Sequence, residues 1–302
     1  MALSYAGEDH LRQAAGGKVL GPRGFLMVED KENAEAFAEE SAALSLDLIS
    51  AAEAVALVPI LNPGKIVHAS YSSRACDVDT DLLIQDFART ARRNGEIVTG
   101  ARVTAISHGA EGWTVQTAKG SYSGRILINA AGAWVDKIAA MAGVAPLGFT
   151  PYRRSMARLA APGGQDVSTC PMIYGMGETW YAKPDAGALL VSPAEEDLME
   201  PQDVWPDDMV LAEGLARYEA MVTLPVTRPI ATWAGLRTFA PDRVLVIGRD
   251  VKRRDFFWLG GQGGFGFQTS AGASQLVADL IAERKPAVDA ATVAAVSPAR
   301  FA

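Results

Sequence analysis

Cysteine is scarce in this 302-residue chain, which holds only Cys76 and Cys170. Two thiols are too few for a disulfide framework, so a reducing, cytoplasmic setting is expected. Histidine is nearly as scarce. His10, His68 and His108 fall at no metal-ligand spacing, and no zinc site is expected. No apolar run approaches the roughly 18 residues that a membrane span requires. Met1–His10 has neither the basic nor the apolar region of a signal peptide. A net charge of −7, with no basic patch interleaved with aromatics, excludes a general nucleic-acid binder. No Gly-x-Ser-x-Gly elbow presents a nucleophilic serine. Internal repeats and polar low-complexity blocks are also missing. With 49% hydrophobic residues, the chain reads as globular, and its length suits one large core or two ordinary domains.

What is present is most pronounced near the C-terminal end. The aromatic strand Phe256–Leu259 runs into a glycine-rich loop, Gly260 to Gly266, and then into a helix carrying Leu276, Val277, Leu280 and Ile281 on one face. Thr269 or Ser270 is expected to cap that helix. A helix start offers unpaired N–H groups and a positive dipole end, which suit an anion or a developing negative charge. Glycines allow a ligand ring to lie flat against the backbone. Taken alone, the motif reads equally well as a tight strand-to-helix turn. A second stretch, Arg125–Ala139, has an apolar strand ending in Ala130-Ala131-Gly132 with a helix following at once. Parallel strands of open α/β sheets present their carboxyl ends to ligands in this way, and close strand–helix packing needs the same small residues.

The remaining pattern predicts a polar helix over residues 1–20 broken at Gly16-Gly17, a buried strand at Phe25–Val28, a long helix from Glu32 to Ala56 and a strand from Lys65 to Tyr71. A helix capped by Asp79 or Thr80 runs to Arg93. Strands follow at Glu96–Val98, Arg102–Ile106 and Gly112–Thr117, with a hairpin turn at Lys119-Gly120. Beyond Gly143 the chain turns β-rich, notably at Gly177–Ser192 and Thr223–Phe239, with a helix over Pro201–Met221 between them. Arg243–Gly248 reads as a buried strand. The fold class expected is α/β, mixed with α+β character, in two interleaved domains: 1–18, 76–148 and 239–302 in one, 19–75 and 149–238 in the other.

Three blocks, Ile128–Trp134, Trp233–Arg237 and Gly261–Ser270, together resemble the FAD-dependent amine and D-amino-acid oxidoreductases, the family of glycine oxidase, sarcosine oxidase and D-amino-acid dehydrogenase. The D-arginine dehydrogenase type is most similar, through Pro151–Ser155, Trp180–Gly187 and Ser297–Arg300. The resemblance covers nearly the whole chain in order. It implies a Rossmann-like FAD-binding domain interleaved with a β-rich substrate domain. The implied reaction is hydride transfer from the α-carbon of a D-amino acid or related amine to the flavin, leaving an imine that water hydrolyses to a 2-oxo acid and ammonia.

By the same resemblance, Arg154 and Arg237 clamp the substrate carboxylate, because a guanidinium grips a carboxylate through two parallel hydrogen bonds. One of the adjacent pair Arg153 and Arg154 is then a surface or salt-bridge residue, and Arg237 is expected in an apolar neighbourhood. Tyr181 matches the tyrosine whose hydroxyl reaches that carboxylate. Met172 and Tyr174 line the side-chain pocket, and Tyr5 matches a tyrosine of an active-site loop. Phe25 stands where the D-arginine type carries a glutamate, which implies a preference for apolar or aromatic side chains over basic ones. It also reads as ordinary strand core.

Gly263, Gly264, Phe265, Gly266, Phe267 and Gln268 correspond to the flavin's N1 and O2 side, Gln268 also bordering the substrate. Ala131 and Gly132 match the adenosine-side strand end, and Val103 the residue holding the adenine through its backbone. No cysteine matches a covalent attachment point, so bound FAD is expected to be non-covalent. One departure is plain at the front of the chain: the family's opening strand, Gly-x-Gly-x-x-Gly turn and helix have no counterpart there, and every glycine-rich turn present lies elsewhere. The expectation is an incomplete FAD-binding domain. A second subunit supplying the missing unit is one alternative reading, and a shortened, redox-inactive derivative or fragment is the other.

Overall fold

The computed structural model describes residues 1–302. In chain order the elements are α1 (Ala2–Gly17), β1 (Leu20–Pro22), β2 (Phe25–Glu29), α2 (Ala34–Ala43), β3 (Asp47–Ile49), α3 (Ala51–Leu57), β4 (His68–Ser72), β5 (Cys76–Val78) and α4 (Thr80–Ala91). Then come β6 (Val103–Gly109), β7 (Gly112–Thr117), β8 (Gly120–Gly124), β9 (Leu127–Asn129), α5 (Val135–Met141), β10 (Thr150–Ala160), β11 (Met172–Gly175), β12 (Trp180–Asp185), β13 (Ala188–Ser192) and β14 (Asp197–Leu198). The last elements are α6 (Asp208–Ala220), β15 (Ala231–Phe239), β16 (Val246–Arg249), β17 (Phe256–Gly260), α7 (Gly266–Ile281) and α8 (Ala290–Val296). This is a mixed α/β fold.

The largest sheet has nine strands, running β14-β10-β13-β12-β11-β2-β4-β3, with β15 on the other edge of β10. Side chains alternate across a strand, so its pairing decides which residues share a face. Leu26, Ile173, Ala182, Val191 and Ala157 lie in one cross-strand row, and all are fully buried. They face a core of 21 buried residues that includes Trp180 and, from α6, Leu211 and Tyr218. The opposite face presents Phe25 and Met172 as one pair, Tyr174 and Tyr181 as another, and Arg154 beside Gly235.

A second body is built around β17. Phe256 and Trp258 turn to one side, against Trp113, Val135, Phe149 and Val246. Phe257 turns to the other, against Leu3, Leu276 and Val277 from α1 and α7. β17 pairs antiparallel with β16 and parallel with β9, and the outer edge of β9 pairs with no strand. The hairpins of β6, β7 and β8 make a separate antiparallel sheet. α1 crosses α7 at backbone distance: a Cβ on Gly272 would strike the carbonyl oxygen of Leu3, and one on Gly7 the amide of Gly272. No helix is long and apolar enough to cross a membrane.

Several elements differ from the sequence expectation. The long helix over Glu32–Ala56 is two helices with β3 between them. Ser45 takes a left-handed φ of 57°, and Leu46 N–H donates to Ser41 O, which closes α2. Ser50 and Glu53 then form a reciprocal capping box that restarts the helix as α3. Glu96–Val98 finds no partner strand and stays irregular. Pro201–Met221 is helical only from Asp208, where Asp207 accepts from the amides of Met209 and Val210. Asp79 caps α4 as expected, by accepting from Leu82 N–H. Thr269 and Ser270 cap nothing. α7 already starts at Gly266, and both hydroxyls donate back to carbonyls inside it, Thr269 to Phe265 O and Ser270 to Phe267 O, each at 2.7 Å.

Candidate functional site: an arginine pair beneath a glycine loop

β10 and β15 run antiparallel with Arg154 opposite Gly235 and Arg237 opposite Tyr152, so the two arginines lie diagonally on one face. Gly235 leaves open space beside Arg154: a Cβ there would meet nothing within 4 Å. The Arg154 side chain is only 5% exposed. Its Nη1 donates to Glu178 Oε1 at 2.7 Å, whereas Nε and Nη2 are buried without any hydrogen-bond partner. Arg237 Nη1 donates to the same Glu178 oxygen at 3.2 Å, and Nη2 to the Tyr181 hydroxyl at 3.4 Å. The Tyr181 hydroxyl lies 3.5 Å from Met156 Sδ. Arg237 thus has an acidic neighbour where an apolar setting was expected. Arg153, one residue away, points to the other face and is spent on Asp197 at 2.6 Å.

Beyond this cluster the same face becomes apolar. Phe25 and Tyr174 have ring centroids 5.3 Å apart, with Met172 opposite Phe25 across the strand pair. Burial, reinforced by the negative charges of Glu40 and Glu178, holds the Tyr174 hydroxyl above the ordinary phenol range, so it stays protonated. Glu40 reaches over from α2 to accept from Gly177 N–H at 3.1 Å. Neither Glu40 nor Glu178 stood out in the sequence. The register that brings the β11–β12 turn over the arginines is set by pairing, not by local pattern.

The glycine loop lies directly against Arg237: a Cβ on Gly264 would sit 3.1 Å from its Nη1. Gly263 N–H is spent on Thr238 O and Phe265 N–H on Gln262 O. The amides of Gly264, Gly266, Phe267 and Gln268 make no hydrogen bond, as the first turn of a helix requires. Gln268 Nε2 donates to Ser4 Oγ at 3.3 Å. Phe265 and Phe267 are exposed large apolar side chains at this helix start. A cleft lined by Leu83, Ile84, Phe87, Gln262, Gly266, Phe267 and Ser270 continues alongside. A larger, mostly apolar groove lies along α6, lined by Leu215, Ala216 and Val226 among others.

On the neighbouring strand end, buried Asn129 fixes the turn after β9. Its Nδ2 donates to Val135 O at 2.7 Å, and its Oδ1 accepts from Ala131 N–H. Gly132 opens a short 3₁₀ turn at φ 56° with open space about it. Val103 begins β6 beside a bulge. Tyr5 is exposed on α1, its hydroxyl meeting only Met1 Sδ at 3.9 Å, and the structure does not bring it to the arginines. No group of His, Cys, Asp and Glu converges as a metal site.

The family model described as FAD-dependent oxidoreductase, DAO, matches residues 3–280. The chain belongs to this family. Human mitochondrial dimethylglycine dehydrogenase is 23% identical over 253 residues, 77% of this chain and 29% of that protein. The hydrogen cyanide synthase subunit HcnC of Pseudomonas aeruginosa is 27% identical over 242 residues, 75% of this chain and 55% of that protein. The chain therefore spans between about a third and about half of these curated relatives. A D-amino acid dehydrogenase of Chromohalobacter salexigens is 45% identical, but over 58 residues only, 19% of this chain and 13% of that protein. Among solved structures, iminodiacetate oxidase from Chelativorans superimposes with a TM-score of 0.80 at 19% identity, covering 98% of this chain and 82% of that one. L-proline dehydrogenase from P. horikoshii gives 0.77 at 22%, covering 93% and 77%. At these identities the structures speak for the fold. FAD is the cofactor of the family. The residues present fit its ring system: unpaired amides at the start of α7 suit a flat ring that gains negative charge.

Proposed function

We propose that this DAO-family chain oxidises the bond between the α-carbon and nitrogen of a D-amino acid or related small amine, with FAD as the electron acceptor. The observation that carries this reading is the adjacency of two half-sites: the Arg154–Arg237–Tyr181 cluster, and the unpaired amides of the glycine loop directly above Arg237. Bound there, FAD would supply the hydride acceptor. Arg154 and Arg237 would hold the substrate carboxylate through charge-assisted hydrogen bonds, and Tyr181 would donate its hydroxyl to the same group. Fixing that end leaves the α-carbon few orientations, which is where positioning contributes to rate. Gly264, Gly266, Phe267 and Gln268 would direct N–H groups at the ring edge that becomes negative, with Gly263 and Phe265 shaping the loop that presents them. Ala131, Gly132 and Val103 would border the adenosine side, with no covalent link to the chain.

The contacts that these residues offer to FAD serve mainly the ring. The chain alone is therefore expected to bind FAD with a Kd of roughly 10 μM or weaker, about −7 kcal/mol. Titration followed by quenching of flavin fluorescence checks this. The absence of saturable quenching would favour the alternative, a redox-inactive derivative of the family.

The Phe25–Tyr174–Met172 wall supports apolar or aromatic substrate side chains. Phe25→Glu is expected to shift the ratio of kcat/KM for a basic over an apolar D-amino acid by at least about tenfold, roughly 1.4 kcal/mol of differential binding. Parallel kinetics with D-arginine and D-leucine give that ratio. An unchanged ratio would place Phe25 in the core rather than in the pocket.

A further inference from the structure

The guanidinium groups offered to a substrate carboxylate already hold a carboxylate of the chain itself. Glu178 Oε1 accepts from both Arg154 Nη1 and Arg237 Nη1, bridging strands β10 and β15. This bridge is lopsided. One oxygen of Glu178 takes both bonds, while Arg154 Nε and Nη2 are buried with no hydrogen-bond partner. A buried guanidinium with unmade hydrogen bonds is unfavourable, and a carboxylate approaching through two oxygens would satisfy it better. Glu196 also faces Arg154, at 3.6 Å from Nη2, but it is engaged by Arg243 at 2.8 Å.

Glu178 is placed so that it can leave. Its side chain is 40% exposed, against 5% for Arg154, so Glu178 is the solvent-facing partner of the pair. It ends the three-residue turn Met176–Glu178, in which Gly177 has φ 71° and Glu178 itself φ 53°. The left-handed region is unfavourable for a non-glycine residue, so the turn holds Glu178 over the arginines against its own backbone preference. Glu40 steadies that turn through Gly177 N–H, independently of the arginines.

We propose that Glu178 is an internal competitor for the Arg154–Arg237 pair and thereby a specificity determinant of the site. This rests on the reading of the arginine pair as a carboxylate clamp. A ligand with a carboxylate displaces Glu178. An amine without one leaves it in place and gains nothing from the clamp. Each carboxylate ligand binds with an affinity lowered by the fraction of molecules in which Glu178 occupies the pair.

Acetate, titrated into the full chain by calorimetry, isolates this competition from any turnover. Glu178→Gln removes the charge. Glu178→Gly removes the side chain and suits the positive φ, which keeps the turn intact. Both variants are expected to bind acetate about tenfold more tightly than the parent. Arg237→Met, run alongside, should abolish acetate binding. If both Glu178 variants bind acetate no more tightly while Arg237→Met still abolishes binding, the competition is refuted and the clamp stands. If Arg237→Met leaves acetate binding unchanged, the clamp fails and the competition with it.

Discussion

Replacing Arg237 by methionine is expected to raise the KM for a D-amino acid by about a hundredfold, while the protein remains folded. The magnitude follows from the bonds removed. A hydrogen bond to a charged group contributes about 1.5–3 kcal/mol, and a factor of a hundred corresponds to about 2.7 kcal/mol. Arg237 is the better of the two arginines to test. Arg154 is almost fully enclosed, so truncating it would leave Glu178 and Glu196 facing a cavity and confuse binding with folding. The Arg237 side chain is 23% exposed and lies between Tyr181 and the loop at Gly264. Methionine keeps much of its volume and removes only the charged fork. Arg237→Lys should recover a minor part of the loss, because an ammonium cannot make two parallel bonds to one carboxylate. An unchanged KM in Arg237→Met would remove Arg237 from the substrate.

The second large effect concerns the crossing of α1 and α7. Gly272→Val is expected to destabilise the fold by about 3 kcal/mol or more, the upper range for inserting atoms into a packed contact. In a chain of this size that corresponds to a fall in Tm of about 5 °C or more. The obstacle at Gly272 is the Leu3 carbonyl oxygen, a backbone atom held within α1, so no side-chain rotation relieves it. The strain would also reach the amides of the glycine loop, since Gly272 lies in the same helix that begins at Gly266. Gly109→Ala, where a Cβ meets nothing within 4 Å, is the control and should leave Tm nearly unchanged. Equal Tm values for the two variants would mean that the helices do not cross at backbone distance.

Local chemistry was readable from sequence wherever it was decided locally. Asp79 before an amphipathic run marks the start of α4, and the Lys119-Gly120 turn marks the hairpin of β7 and β8. Sequence and structure part where one pattern is satisfied by two structures. The Ala, Glu and Leu spacing of 32–56 continues across Ser45, although the chain reverses there to place β3 beside β4. The Ser50–Glu53 capping box is the local signal for the restart as α3. Glu96–Val98 has strand-forming residues, but a strand also needs a neighbour to accept its hydrogen bonds. At the candidate site, resemblance singles out Arg154, Arg237 and Tyr181, whereas their shared face depends on the pairings of β10 with β15 and of β11 with β12. Glu178 was invisible for that reason. Nothing in Met176–Glu178 announces that its turn folds over arginines contributed by distant strands.

The most direct test of the account is anaerobic addition of D-leucine to the FAD-loaded protein while the absorbance of the oxidised flavin is followed. The account predicts that the band bleaches, that 4-methyl-2-oxopentanoate and ammonia appear in equal amounts, and that Arg237→Met bleaches far more slowly at the same substrate concentration. A protein that takes up no FAD would contradict it. So would one whose flavin stays oxidised under saturating D-leucine, D-alanine and glycine.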